Sequence, residues 1–224
     1  MTTLTQASEQ WAKRPSDERF LSLDEMAIKK QAIRDNSQAS VVPNRALKFI
    51  PSPLNPSKGL TIEGEHGYYD PTNYAFNQIA SLAGAPASYL RTLDPALVAD
   101  NLNYSMRFNR DVQEVGVLRT KSRMENNATQ GTVGQIAGDS YIDHVELRAA
   151  TGPNYGRVWD VDIINMLRSR FGDGRTGDFR VPGEFGKEVP ITRDNTTLYA
   201  SDRDMFVFLA DEVNRVEMKD RRDG

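Results

Sequence analysis

The chain has 224 residues, 38% hydrophobic and 26% charged, with a formal net charge of −3. That length suits one domain or two small ones with a buried core, and the charge excludes a surface that coats nucleic acid all over. The absence of cysteine excludes disulfides, thiolate metal sites and a cysteine nucleophile.

No apolar run approaches the roughly 20 residues that cross a bilayer, and Met1 to Arg19 lacks the basic-then-apolar pattern of a signal peptide. A cytoplasmic location with no membrane partner is the expectation. Residues 1–21 read as a polar N-terminal arm carrying Trp11, Arg14 and Pro15. Ser22-Leu23-Asp24-Glu25 has the form of a capping box and opens a helix through Met26 and Ile33 to about Asp35. Its heavy charge predicts a surface position. Ala46 to Ile50 and Leu60 to Glu63 are strand-like and separated by Pro51, Pro53, Pro56 and Gly59, which predicts an edge hairpin with a long connection.

Asp70-Pro71-Thr72 starts a helix with Tyr74, Phe76, Ile79, Ala80 and Leu82 on its apolar face, and Gly84 ends it. Pro86 restarts a short turn containing Tyr89 and Leu90. Asp94-Pro95 pairs an N-cap with a first-position proline and opens a helix through Leu97, Val98, Leu102 and Met106. Val112 to Thr120 alternates as a strand, with Val115, Val117 and Arg119 on one side and Leu118 on the other. Lys121 to Ser140 is polar and reads as a long connection.

Val145 to Phe171 reads as strand, turn and helix. Val145, Leu147 and Ala149 alternate with Glu146 and Arg148, and Gly152, Pro153, Asn154 and Gly156 make the turn. Asp160 is the candidate N-cap of a helix with Val161, Ile164, Met166, Leu167 and Phe171 on one face, closed by Gly172. Gly172 to Lys187 is a glycine-rich loop. Thr196 to Ala200 and Met205 to Ala210 are strands around Ser201-Asp202-Arg203-Asp204, and the apolar run Met205 to Leu209 predicts a central strand covered on both faces. Residues 212–224 form a charged tail, and 22–211 are expected as a single domain.

The main candidate site is a set of arginines and aromatics: Arg119, Lys121, Arg148, Tyr155, Arg157, Trp159 and Arg168. Guanidinium groups grip phosphates in two-point fashion, and rings stack unpaired bases at roughly 1–3 kcal/mol each. If the strands near 112–120 and 145–150 pair, Arg119 and Arg148 share a solvent face. The plainer alternative is that Tyr155 and Trp159 pack in the core or turn while the arginines pair with Glu146, Asp160 and Asp162. Between Asn103 and Arg180 eleven basic residues face ten acidic ones, so the charge excess is slight.

Gly172-Asp173-Gly174-Arg175-Thr176-Gly177 fits G-x-G-x-x-G by letter. It follows a helix and leads into a loop, the reverse of the strand-to-helix setting that cradles a pyrophosphate. Asp202 and Asp204 are weak candidates for Mg²⁺, against the reading of a capped turn with an Arg–Asp pair. His66 and His144 have no metal-ligand spacing around them. No cofactor is expected.

Several segments, in order, resemble the phage/plasmid-like protein family, a family without an established activity found in phages, plasmids and bacteria. They are Arg14-Pro15-Ser16-Asp17-Glu18-Arg19-Phe20, the helices from Thr72 to Leu102 with Gly84-Ala85-Pro86, Leu147-Arg148-Ala149 followed by Asn154-Tyr155-Gly156-Arg157, and Leu198 to Leu209. The resemblance implies a mobile-element setting, and family members run on past the position of Gly224, which reads as a truncation. The Lys121 to His144 connection is longer than the family pattern.

The expected fold is α+β: a mainly antiparallel sheet from strands near 46–63, 112–120, 145–150 and 196–210, with helices near 72–107 and 160–171 packed on it. The expected function is a non-enzymatic single-stranded nucleic-acid-binding or annealing protein of a mobile element. A host-defence-countering protein-interaction module is the alternative, a metal-dependent nuclease the third reading, and self-association is left open.

Overall fold

The computed structural model describes residues 14–53, 55–57, 59–64, 67–108, 113–121, 145–182, 190–211 and 213–214. Helices and mainly antiparallel sheets make it an α+β protein. Its contacts divide into two compact units, the first being residues 1–34 with 158–224 and the second 35–157. The segment 22–211, expected as one domain, is therefore shared between them.

The chain opens in the first unit with β1 (Arg19–Phe20) and α1 (Leu23–Asp35). The second unit takes β2 (Ser37–Pro43), β3 (Lys48–Pro51), β4 (Leu60–Gly64) and β5 (Gly67–Pro71). Three helices follow, α2 (Asn73–Leu82), α3 (Ala87–Leu90) and α4 (Pro95–Phe108), then β6 (Glu114–Lys121) and β7 (Val145–Thr151). The chain returns to the first unit with α5 (Asp160–Phe171), β8 (Phe179–Arg180), β9 (Leu198–Ala200), β10 (Met205–Val207) and β11 (Ala210–Asp211).

In the second unit six strands lie in the order β2-β6-β7-β5-β4-β3. Every neighbouring pair is antiparallel except β5 and β7, which are parallel because the chain between them crosses back through the helices. Period-2 alternation puts Phe49, Ile62, Tyr69, Val115, Val117 and Leu147 on one face, where they share a core with Ile79, Leu90, Leu102 and Met106. The helices start where local chemistry says they should. Thr72 Oγ1 accepts from the Ala75 N–H at 3.2 Å, and Asp94 Oδ1 accepts from the Ala96 N–H at 2.9 Å. Gly84, at φ 69°, supplies the left-handed residue that stops α2. Val98, Ala99, Leu102 and Met106 form the buried stripe of α4. Asn103 on the same helix accepts from the Phe49 N–H and donates to the Phe49 carbonyl, both at 2.8 Å, which ties edge strand β3 to α4.

One irregularity decides where side chains point. The pairing of β6 with β7 runs Leu118 to Ala149 and then Arg119 to Leu147, leaving Arg148 as the extra residue of a bulge. The expected alternation of Val145, Leu147 and Ala149 fails there, and Ala150 joins Leu147 in the core instead of Ala149.

In the first unit β1, β9 and β10 form a three-stranded antiparallel sheet in the order β1-β9-β10, and β8 pairs with β11. Phe20, Leu23, Met26, Ala27, Ile164, Val181, Leu198 and Ala200 make its core. Three expectations are corrected here. The strands of 196–210 do not join the large sheet. Strand β10 is an edge, and β9 is the central strand because both β1 and β10 bond to it. Helix α1 is not a surface helix: Leu23, Met26 and Ala27 recur at i, i+3 and i+4 and are buried. The buried Lys30 on that helix is neutralised by Asp160 at 2.8 Å and donates to the Ser201 carbonyl at 2.7 Å.

Candidate nucleic-acid interface

The seven residues expected to bind nucleic acid do not gather in one unit. Arg119, Lys121, Arg148, Tyr155 and Arg157 belong to the second, Trp159 and Arg168 to the first, and the division falls just after Arg157. Within the second unit Arg119 and Arg148, expected on one solvent face, lie on opposite faces. Arg119 is paired across the strands with core-facing Leu147. Its Nη1 donates to the Tyr69 hydroxyl at 3.0 Å, its Nη2 to Ser40 Oγ at 3.2 Å, and its guanidinium lies 5.3 Å from the centre of the Tyr69 ring. Arg148 pairs with Glu146 at 3.1 Å, a residue next to Leu147 and so on the other side of the sheet. The cause is the alternation of the strands combined with the bulge at Arg148.

Lys121 is exposed at the end of β6, and Tyr155 is 63% exposed in the turn after β7. Arg157 is half-buried. In the first unit Trp159 occupies the N-cap position that Asp160 was expected to hold, and Arg34 lies 5.7 Å over its ring while binding Asp162 at 2.7 Å. Arg168 is held by Asp24 through Nε at 2.6 Å and Nη2 at 2.5 Å, and by Asn165 at 3.0 Å. Arg148 and Arg168 are thus structural ion pairs, and Arg119 is a half-buried prop for Tyr69.

The two weaker motifs resolve into turns. Ser201 Oγ accepts from the N–H groups of Arg203 and Asp204, both at 3.1 Å, and donates to Asp204 Oδ1 at 2.8 Å. The other Asp204 oxygen accepts from Arg14 at 3.0 Å, and that guanidinium lies 4.7 Å over Tyr199. Asp204 is therefore the acidic half of a capped turn and an ion pair. Among the described residues no group of three or more His, Cys, Asp or Glu side chains gathers to hold a metal; His66 and His144 lie outside them. In the loop after α5 the Asp173 carboxylate accepts from the N–H groups of Arg175 and Thr176, each at 2.8 Å. These bonds hold the Asp173 carboxyl below its usual range, the Thr176 N–H foremost. The anion nest that such a loop could offer a phosphate is filled by its own side chain.

Sequence reasoning missed a different set of cations. In the second unit Arg91 lies 4.7 Å over Phe76 and Arg107 5.6 Å over Phe108. Like Arg119, neither enters an ion pair among the described residues. By contrast Arg14 and Arg34, over rings in the first unit, are also claimed by Asp204 and Asp162, although Arg170 over Phe171 resembles the second-unit set. Beside Arg107, Tyr104 and Phe108 are 68% and 58% exposed, with ring centres 4.7 Å apart. They lie away from the Val98, Leu102 and Met106 stripe that packs α4 into the core. The signal is an i, i+4 aromatic pair around an arginine, which the apolar periodicity that marks α4 as a helix does not single out.

No family model matches the chain, and no curated protein or solved structure matches it either.

Proposed function

We propose that the chain binds single-stranded nucleic acid without catalysing a reaction on it, as a member of the phage/plasmid-like family acting in the DNA metabolism of a mobile element. The observation that carries the reading is the α4 platform: two exposed rings 4.7 Å apart beside a guanidinium with no carboxylate partner among the described residues. An unpaired base stacks on such rings whatever its identity, and the guanidinium takes the adjacent phosphate. Lys121 and Tyr155 are further exposed residues of the same unit. The original set is narrowed accordingly, since Arg148 and Arg168 already hold carboxylates.

The test is a salt titration of a fluorescent oligothymidylate against the full chain. Affinity should fall steeply and linearly on a log–log plot as salt rises. Replacing Phe108 and Arg107 with alanine should weaken binding by roughly tenfold or more. Wild-type protein that ignores the strand at low salt ends the reading. A protein partner, such as a host defence factor, then becomes the better account, because Leu97, Tyr104 and Phe108 expose apolar surface on the same helix.

A further inference from the structure

The second unit contains a cavity of about 380 Å³ between the end of β5 and the starts of α2 and α4. That volume falls in the range of small-molecule sites, roughly 300–1,000 Å³. Phe76, Leu90 and Val98 supply apolar wall, and Ser52, Asn73 and Arg91 supply polar groups. Ser52 is 6% exposed, yet its hydroxyl makes no hydrogen bond with any described residue. The Ser52 N–H donates to the Gly59 carbonyl at 2.8 Å, and the approach is close enough that a Cβ on Gly59 would stand 2.6 Å from Ser52 Cβ. Among the described residues nothing competes for this hydroxyl, so it can bond a group placed in the pocket.

The charge of the lining is decided by two residues. Asp70 borders the cavity, but its carboxylate accepts from Thr61 Oγ1 at 2.5 Å. Thr61 and Asp70 each adjoin a core-facing residue, Ile62 and Tyr69, so alternation turns both side chains to the far face of the sheet. Arg91 is oriented. Its Nη1 donates to Asn77 Oδ1 at 2.9 Å, its Nη2 to the Asn73 carbonyl at 3.3 Å, and the group sits over Phe76, 4.7 Å from the ring centre. A guanidinium fixed by two amides and a ring, without a carboxylate among the described residues, is prepared for an anion.

We infer that this cavity binds a nucleoside monophosphate unit, with the base against Phe76, Leu90 and Val98, the sugar or base edge on Ser52, and the phosphate on Arg91 and Asn73. The choice of a nucleotide rests on the single-strand reading; the anion with an apolar body rests on the cavity itself. The unit is either a free mononucleotide or the phosphorylated end of a strand.

Calorimetric titration of the full chain with thymidine 5′-monophosphate, and separately with thymidine, tests it. The monophosphate should bind, and thymidine should bind roughly tenfold more weakly or worse. Arg91→Ala should bring the monophosphate down to the level of thymidine, Arg91→Lys should fall between, and Ser52→Ala should weaken both. Arg91 is exposed, so its variants fold. Silence with the monophosphate, or undiminished binding by Arg91→Ala, overturns the proposal. An oligothymidylate with and without a 5′-phosphate separates the sources, tighter binding of the phosphorylated strand pointing to strand ends. Binding of the oligomer with silence for the monophosphate sinks the cavity and leaves the single-strand reading standing. Binding of the monophosphate by a protein that ignores every strand does the reverse.

Discussion

The Tyr69 ring is held from two sides by residues that a sequence reading treats very differently. Arg119 covers it and bonds its hydroxyl, while its own Nε is buried with no acceptor among the described residues. Such a group is scaffold, and Arg119→Ala should lower unfolding free energy by about 1–3 kcal/mol while leaving oligonucleotide affinity unchanged. Urea midpoints and fluorescence anisotropy on one preparation check both halves, and a severalfold loss of affinity would return Arg119 to the interface. On the other side Gly64 has no room for a side chain, since a Cβ there would stand 2.4 Å from Tyr69 Cε2. Gly64→Ala should therefore displace the ring and cost about 1–3 kcal/mol by overpacking, visible as a lower urea midpoint with an unchanged slope. Neither role was legible in the sequence. Arg119 shows a charge and Gly64 shows a gap, and only the register of the strands tells which ring they share.

Elements set by local chemistry were the legible part of the fold. The helix after Thr72, the Asp94-Pro95 start and the stop at Gly172 depend on side chains within one turn, so their bounds could be read directly. Strand β2 was missed because Ser37 to Pro43 is polar and proline-ended, and it exists only because β6 offers it a partner. The bulge at Arg148 was equally hidden, since an extra residue in one strand is a property of the pair. In the loop from Gly172 to Gly177 the Asp173 carboxylate takes the N–H groups of Arg175 and Thr176, and that chemistry gives a pH prediction. Asp173 is an acid whose folded pKa is depressed by hydrogen bonds to the ionised form, the Thr176 N–H foremost. Its contribution is complete above the unfolded aspartate value, about 3.9, and is lost as pH falls through the lower folded value. Asp173→Asn should thus destabilise the protein at neutral pH, and the gap to wild type should close as the solution is acidified below about pH 4. Denaturant melts at neutral and acid pH measure it; a gap that widens on acidification would contradict the assignment.

For the whole molecule, the consequential feature is that the first unit is assembled from both ends of the chain. Arg19 and Phe20 lie opposite Tyr199 and Leu198, and Arg14 reaches Asp204 and the Tyr199 ring. Two stretches far apart in the chain, Arg19 to Phe20 and Leu198 to Val207, thus supply the strands of one sheet. Hydrophobic periodicity marks a strand but does not say which sheet it joins, which is why 196–210 is expected in one sheet with 46–63, 112–120 and 145–150 and instead forms a sheet of its own with β1. Two separate cores follow from this arrangement, and they lead to a test. Leu102 is fully buried in the core of the second unit and Leu198 in that of the first. Truncating either to alanine should cost about 2–5 kcal/mol, and most of that loss should be local, because among the described residues the two leucines belong to different clusters of buried residues. Native-state hydrogen exchange resolves such sub-global openings. Leu102→Ala should speed exchange in β3 to β7 while β9 keeps its protection, and Leu198→Ala should do the opposite. If both substitutions raise exchange equally in β7 and β9, the two units unfold as one. Oligonucleotide affinity would then be expected to fall with either substitution, whereas separate units predict that Leu198→Ala leaves binding through the α4 platform intact.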